Sequence, residues 1–106
     1  MKTFKFRHDF VKEILEGRKN TTWRLFDDKN LQINDELELI DSENNETFGK
    51  ARVIDIQEKA IKNLSMEELN NHQYDSMDKM IEGHRKYYGD KVELNTIVKI
   101  ITFELI

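Results

Sequence analysis

The chain has 106 residues, 38% apolar and 36% charged, with a net charge of −4. That supports one hydrophobic core and one domain over residues 1–106, and the periodic Ile, Leu, Val and Phe exclude a disordered chain. The acidic balance gives no global cationic field, so DNA is not an expected partner and any nucleic-acid contact must use a local basic patch. The absence of cysteine excludes disulfides, thiolate nucleophiles and Cys-rich zinc sites.

His8, His72 and His84 are far apart in sequence and form no H-x-x-x-H pair, so neither a metal nor another cofactor is expected. Residues Met1 to Lys5 lack an apolar signal core, and no run of about 18 apolar residues occurs to span a membrane. The expectation is a cytoplasmic protein with no membrane partner.

Thr3 to Arg7 alternates Phe4 and Phe6 with Lys5 and Arg7, which predicts a short half-buried strand. The exposed face of that strand is the expected surface for a weak homodimer, a monomer being the other possibility. Asp9 is placed to N-cap a helix through Glu16, with Phe10 and Ile14 on one apolar stripe. Gly17 ends the helix, and β-favouring Thr21, Thr22 and Trp23 continue as a strand over residues 20–26.

Asp27 to Asn30 reads as a turn, and Asn34-Asp35 as a second turn with Asn at positive φ. Strands follow over 36–41 and 47–57, joined by a hairpin at Ser42 to Asn45, with Gly49 marking a bulge. Ser65 and Glu68 form a capping box for a short helix. Asp75 or Ser76 starts a longer helix to Tyr88, with Met77, Met80, Ile81 and His84 leaning inward, and Gly89 stops it. Residues 97–106 are almost continuously apolar, which predicts a central strand covered on both sides. About five or six strands and three helices, with antiparallel hairpins in the middle, make a small α+β domain around a curled sheet or barrel.

The stretch Gly17 to Arg24 concentrates ionisable and nucleophilic groups. On a strand, Asn20, Thr22 and Arg24 share one face while Trp23 points to the other, which marks Trp23 as core. Lys19, turned by Gly17 toward the same pocket, would be near Arg18 and Arg24 and partly covered. Like charge and desolvation both lower a lysine pKa. A neutral lysine can take a proton from the Thr22 hydroxyl, and Arg24 would hold an oxyanion or a carbonyl. The same residues also suit passive binding of a base or phosphate. Read more plainly still, basic residues after a helix C-terminus complement its dipole, and threonine pairs are ordinary in strands.

The run F-x-x-x-I-L-x-G-R-K-x-x-T-x-R from Phe10 to Arg24 resembles the signature of ASCH domains, members of the PUA-like superfamily. Asn34-Asp35-Glu36-Leu37, Tyr74-Asp75-Ser76 and the closing residues 101–105 extend the resemblance over essentially the whole chain. It implies a PUA-like curled β-barrel with flanking helices, a cleft over the signature, and RNA or nucleotide ligands. Many ASCH domains carry glutamate three residues after the lysine, where this chain has Thr22. That is similar to a bacterial subgroup of acetylcytidine amidohydrolases, in which the lysine, the threonine and a later glutamate are catalytic.

The resemblance therefore implies Thr22 as nucleophile and Lys19 as its base in a metal-free hydrolysis of N4-acylated cytosine nucleosides, acetylcytidine giving cytidine. His72 occupies the position of the family's glutamate, with Glu68 one turn earlier as the substitute. By themselves these read as a solvated loop histidine and a capped helix end. Arg24, Arg18 and Tyr74 are the expected substrate-binding residues, Tyr74 by stacking on a pyrimidine; Trp23 is a second aromatic near the cleft that could stack, though its alternation away from Thr22 favours the core. The alternative is a non-hydrolytic module that binds RNA or a nucleotide in the same cleft. Cleavage of RNA itself, with Lys19 and His72 at a 2′-hydroxyl, is a third and less favoured reading.

Overall fold

A computed structural model of the chain describes residues 2–26 and 29–106. Asp27 and Asp28, in the turn expected at 27–30, lie outside the described residues. The elements run β1 (Lys2–Phe6), α1 (His8–Leu15), β2 (Thr21–Leu25), β3 (Glu36–Asp41), β4 (Thr47–Ala60), a 3-10 turn at Ile61–Asn63, α2 (Met66–Asn71), α3 (Met77–Tyr88) and β5 (Ile97–Leu105). The class is α+β: a curled, open, PUA-like barrel of five strands with helices against it.

The strands form one sheet in the order β1-β3-β4-β5-β2. Most neighbours are antiparallel, but β1 runs parallel to β3, with Phe4 opposite Leu39. No turn chemistry announces that pairing, because α1, β2 and a loop separate the two strands. The long β4 pairs with β3 through its first half and with β5 through its second. Two register shifts bend it, one skipping Phe48 beside Gly49 and one skipping Ile54. The second resets the alternation, so that Val53 and Ile56 both face the barrel core while Ile54 is left exposed. Bulges of this kind tighten the local twist and curl the sheet.

Both faces of the β5–β2 side are covered. Inside the barrel Phe4, Phe6, Ile14, Leu37, Leu39, Val53, Ile101 and Phe103 make one core. On the outer face Leu25, Leu69, Met80, Val92 and Val98 make a second, under α2 and α3. Each such side chain contributes roughly 1.5–3 kcal/mol by leaving water. Burial from two sides accounts for the near-continuous apolar run of β5, as the sequence predicted. Phe4 and Phe6 are both buried, and Lys5 between them is exposed.

Several local signals act as predicted. Gly17 sits at φ 78°, Asn34 at 76° and Asn45 at 59°. Ser65 accepts the Glu68 N–H, and the Glu68 carboxylate accepts the Ser65 N–H in return. Ser76, not Asp75, caps α3, accepting from the Lys79 N–H at 3.2 Å. Asp9 does not cap α1. The helix starts two residues earlier, with Arg7 at the cap position, and Asp9 in the first turn pairs with the Arg7 guanidinium at 2.5 Å. An acidic first-turn residue still complements the helix dipole there.

Candidate functional site

The two edge strands, β1 and β2, face each other across the unclosed side of the barrel. They are not paired in the sheet. Instead the Arg24 guanidinium lies 4.1 Å above the ring centroid of buried Phe4 and spans the seam. A cleft of about 610 Å³ opens along it.

Strand β1 and the residue after it contribute Lys5 and Arg7, α1 contributes Phe10, and the turn behind it Lys19. Strand β2 contributes Thr22, Trp23 and Arg24, the α2–α3 connection His72, Gln73 and Tyr74, and α3 His84, Tyr87 and Tyr88. Four cations line this cleft and, among the described residues, no carboxylate does. In a chain of net charge −4 that is a marked local reversal.

Lys19 reaches the cleft because Gly17 reverses the chain. The Arg18 and Lys19 N–H groups both donate to the Glu13 carbonyl, at 2.9 and 3.1 Å. The Lys19 ammonium donates to the Thr21 carbonyl at 3.0 Å and lies 4.7 Å from the Phe10 ring centroid. Burial lowers its pKa from the ordinary lysine value, with Glu13 partly opposing. The expected direction holds, but the cause is desolvation, not like charge. Arg18 turns outward to pair with Glu16 at 2.6 Å, and Arg24 is engaged by Phe4.

Thr22 shares a cleft with Lys19, yet its hydroxyl has no hydrogen-bond partner among the described residues. Trp23 takes both of the places open to it, the favoured core position and the cleft wall. It packs on the outer cluster and also lines the cleft, half-buried. His72 stacks on it, ring centroids 3.9 Å apart and planes 31° from parallel. Burial first, then the charge of Lys19, push the His72 pKa down to about 4, so the imidazole is neutral at pH 7.

Tyr74 lies nearly parallel to Trp23, at 22° and 6.1 Å between centroids. Gly83 lies against that ring, close enough that a Cβ there would stand 3.4 Å from it, at contact distance. His84 is held by its Nδ1, which donates to the Met80 carbonyl at 2.9 Å. Trp23, His72, Tyr74 and His84 thus form one aromatic row along the cleft wall.

Glu68 is elsewhere. Its carboxylate accepts from Ser65 N–H and from the Lys59 ammonium, both at 3.0 Å, which holds its pKa below the usual range. It does not line the cleft. Arg18 faces a second hollow of about 570 Å³, together with Glu13, Asn20, Thr21 and Asn71. Phe10, Lys19, His72 and Gln73 belong to both cavities and form the wall between them.

One group of metal-ligating types converges away from this site. His8 Nδ1 lies 2.6 Å from Asp41 and 3.0 Å from Glu43. The contacts close as ion pairs: Asp41 and Glu43 raise the His8 pKa, and His8 lowers that of Asp41. They tie the start of α1 to the end of β3.

Sequence reasoning missed Lys5, Arg7, Phe10 and Gln73 as cleft residues and assigned His84 to the core. Lys5 and Arg7 do show in the alternation of β1, but only the seam brings them to the cleft. Gln73 has φ 66° because it closes α2 in a left-handed turn without the glycine that usually marks one, its N–H donating to the Asn70 carbonyl.

No family model matches the chain, and neither does any curated protein. Solved structures do. A protein of Enterococcus faecalis V583 assigned to family DUF984 aligns over 100% of this chain and 76% of its own, at 11% identity and a TM-score of 0.76. The ASCH domain of Lactobacillus crispatus JV V101 aligns over 90% and 69%, at 12% identity and 0.65. A protein of Pyrococcus furiosus aligns over 99% and 96%, at 22% identity and 0.63. No helix among the described residues is long and apolar enough to cross a membrane. With its curled five-stranded sheet and its cleft at the open seam, the chain has the fold of solved ASCH domains.

Proposed function

We propose that this is an ASCH domain whose seam cleft binds a pyrimidine nucleotide, free or within single-stranded RNA. The observation that carries this reading is the lining: four cations and a row of aromatic rings, with no carboxylate among the described residues, in an acidic chain. A base stacks on the exposed part of the row, a contact worth about 1–3 kcal/mol per base. Neutral His72 and Gln73 offer hydrogen bonds to its edge. Lys19, Arg24, Lys5 and Arg7 meet the phosphate. Trp23 is the chain's one tryptophan, so its fluorescence reports occupancy directly. Titration with short pyrimidine RNAs at several salt concentrations should quench it. Affinity should fall with salt, by a log–log slope of roughly −0.7 per phosphate engaged. No quenching at low salt refutes the proposal.

A second reading, hydrolysis of N4-acylcytosine, is favoured by one observation: a pKa-depressed lysine and an unbonded threonine hydroxyl share the cleft. Thr22 Oγ would attack the acyl carbon as Lys19 takes its proton, with Arg24 on the oxyanion. The C–N bond would break as the exocyclic amine gains a proton through His72, and water would then release the acyl group from Thr22. It ranks second because Lys19 donates to the Thr21 carbonyl, and no carboxylate among the described residues lines the cleft to serve as the glutamate that the resemblance implies. Incubation with acetylcytidine, followed by chromatography, decides it: absence of cytidine formation removes this reading.

A further inference from the structure

The cleft does not end at Lys19 and His72. Beyond that wall lies the second hollow, of nearly equal volume, sharing Phe10, Lys19, His72 and Gln73 with the first. Each is of the size that holds one drug-sized ligand. Their linings differ in kind. The first is aromatic and cationic, whereas the second adds the amide and hydroxyl groups of Asn20, Thr21 and Asn71, with Arg18 and Glu13 at its margins. The side chains of Asn20, Thr21, Asn71 and Gln73 make no hydrogen bonds to other described residues, so their donors and acceptors stay open to a ligand. Gln73, at the junction, is fixed at φ 66° as the left-handed residue that closes α2, its N–H donating to the Asn70 carbonyl and the Tyr74 N–H to that of Leu69.

We infer that the site takes a dinucleotide step of a single-stranded oligonucleotide, not a free nucleoside. This rests on the nucleotide-binding reading above. The first base stacks in the aromatic lobe, and the linking phosphodiester passes over Lys19, which has spent one of its three ammonium protons on the Thr21 carbonyl. The second nucleotide lies in the amide-lined lobe, where Asn20 and Asn71 meet its sugar and base edge. Glu13 faces that lobe too, and suits a ribose hydroxyl better than a phosphate.

The test is a Trp23 fluorescence titration with cytidine 5′-monophosphate and with the 5′-phosphorylated cytidine dinucleotide, repeated at high salt to screen the extra phosphate. Two added hydrogen bonds should make the dinucleotide bind about tenfold tighter at either salt. In the double variant Asn20→Ala, Asn71→Ala that ratio should fall to near one. A ratio near one in the unmodified protein, or a ratio the double variant keeps, overturns the inference while leaving the nucleotide site standing. If neither probe quenches Trp23 at low salt, the nucleotide reading itself fails and takes the inference with it.

Discussion

The imidazole of His72 lies against the indole of Trp23, with ring centroids 3.9 Å apart. The contact joins the loop between α2 and α3 to an edge strand of the barrel, and it keeps the imidazole neutral. Unfolded, His72 titrates near 6.5; folded, it does so near 4. Between those values the unfolded chain binds the extra proton, so His72's share of stability is complete above pH 6.5 and falls as pH drops toward about 4. His8 has the opposite sign, because its raised pKa gives stability at low pH that is lost as pH rises through the folded value. Melting temperatures of the wild type and His72→Gln, measured from pH 4 to pH 7, should therefore differ in slope in the acidic window, with the variant flatter. Parallel curves would contradict a buried, neutral His72.

Lys19 is desolvated without an ion-pair partner close enough to restore its ordinary pKa. Lys19→Met keeps the stem over Phe10 and removes the charge. Folding stability should be unchanged or slightly higher, while nucleotide affinity falls roughly tenfold, as expected for loss of one charge-assisted hydrogen bond. Thermal melts and Trp23 quenching on the same samples check both halves. A large loss of stability would mean that Lys19 is a structural residue.

Glu68 separates structure from chemistry. Glu68→Ala removes half of the capping box and the contact with Lys59, and should cost about 1 kcal/mol in chemical denaturation. Nucleotide binding, and any release of cytidine from acetylcytidine, should stay at wild-type levels. Loss of turnover with retained stability would instead restore Glu68 as a catalytic group.

Arg24 fills the seam between the two edge strands through its stacking on Phe4. Arg24→Ala should lower stability by about 1–2 kcal/mol and weaken ligand binding as well. Arg24→Lys keeps the charge but loses the planar stack, so it should recover more of the binding than of the stability. Equal recovery of both, read from denaturation and titration, would show that charge alone matters at this position.

The elements of this fold were legible in the sequence because their signals are local. Gly17 and Asn34 take positive φ where a turn requires it, and Ser65 with Glu68 satisfies the free N–H groups of α2 within four residues. The apolar run of β5 shows that the strand is buried on both faces. The position of Lys19 and Thr22 on one cleft followed from the same turn and strand. Tertiary structure alone decided what stands opposite them. The parallel pairing of β1 with β3, and the bulges at Phe48 and Ile54, curl the sheet until its two unpaired edges face each other across an open seam. That approach brings Lys5 and Arg7 to the cleft and sets Phe4 beneath Arg24, while packing of the α2–α3 connection on β2 lays His72 on Trp23. Side-chain alternation along β2 marks Trp23 as core but does not tell that the strand is an edge. At an edge strand, a residue packed on the outer cluster can still line the seam.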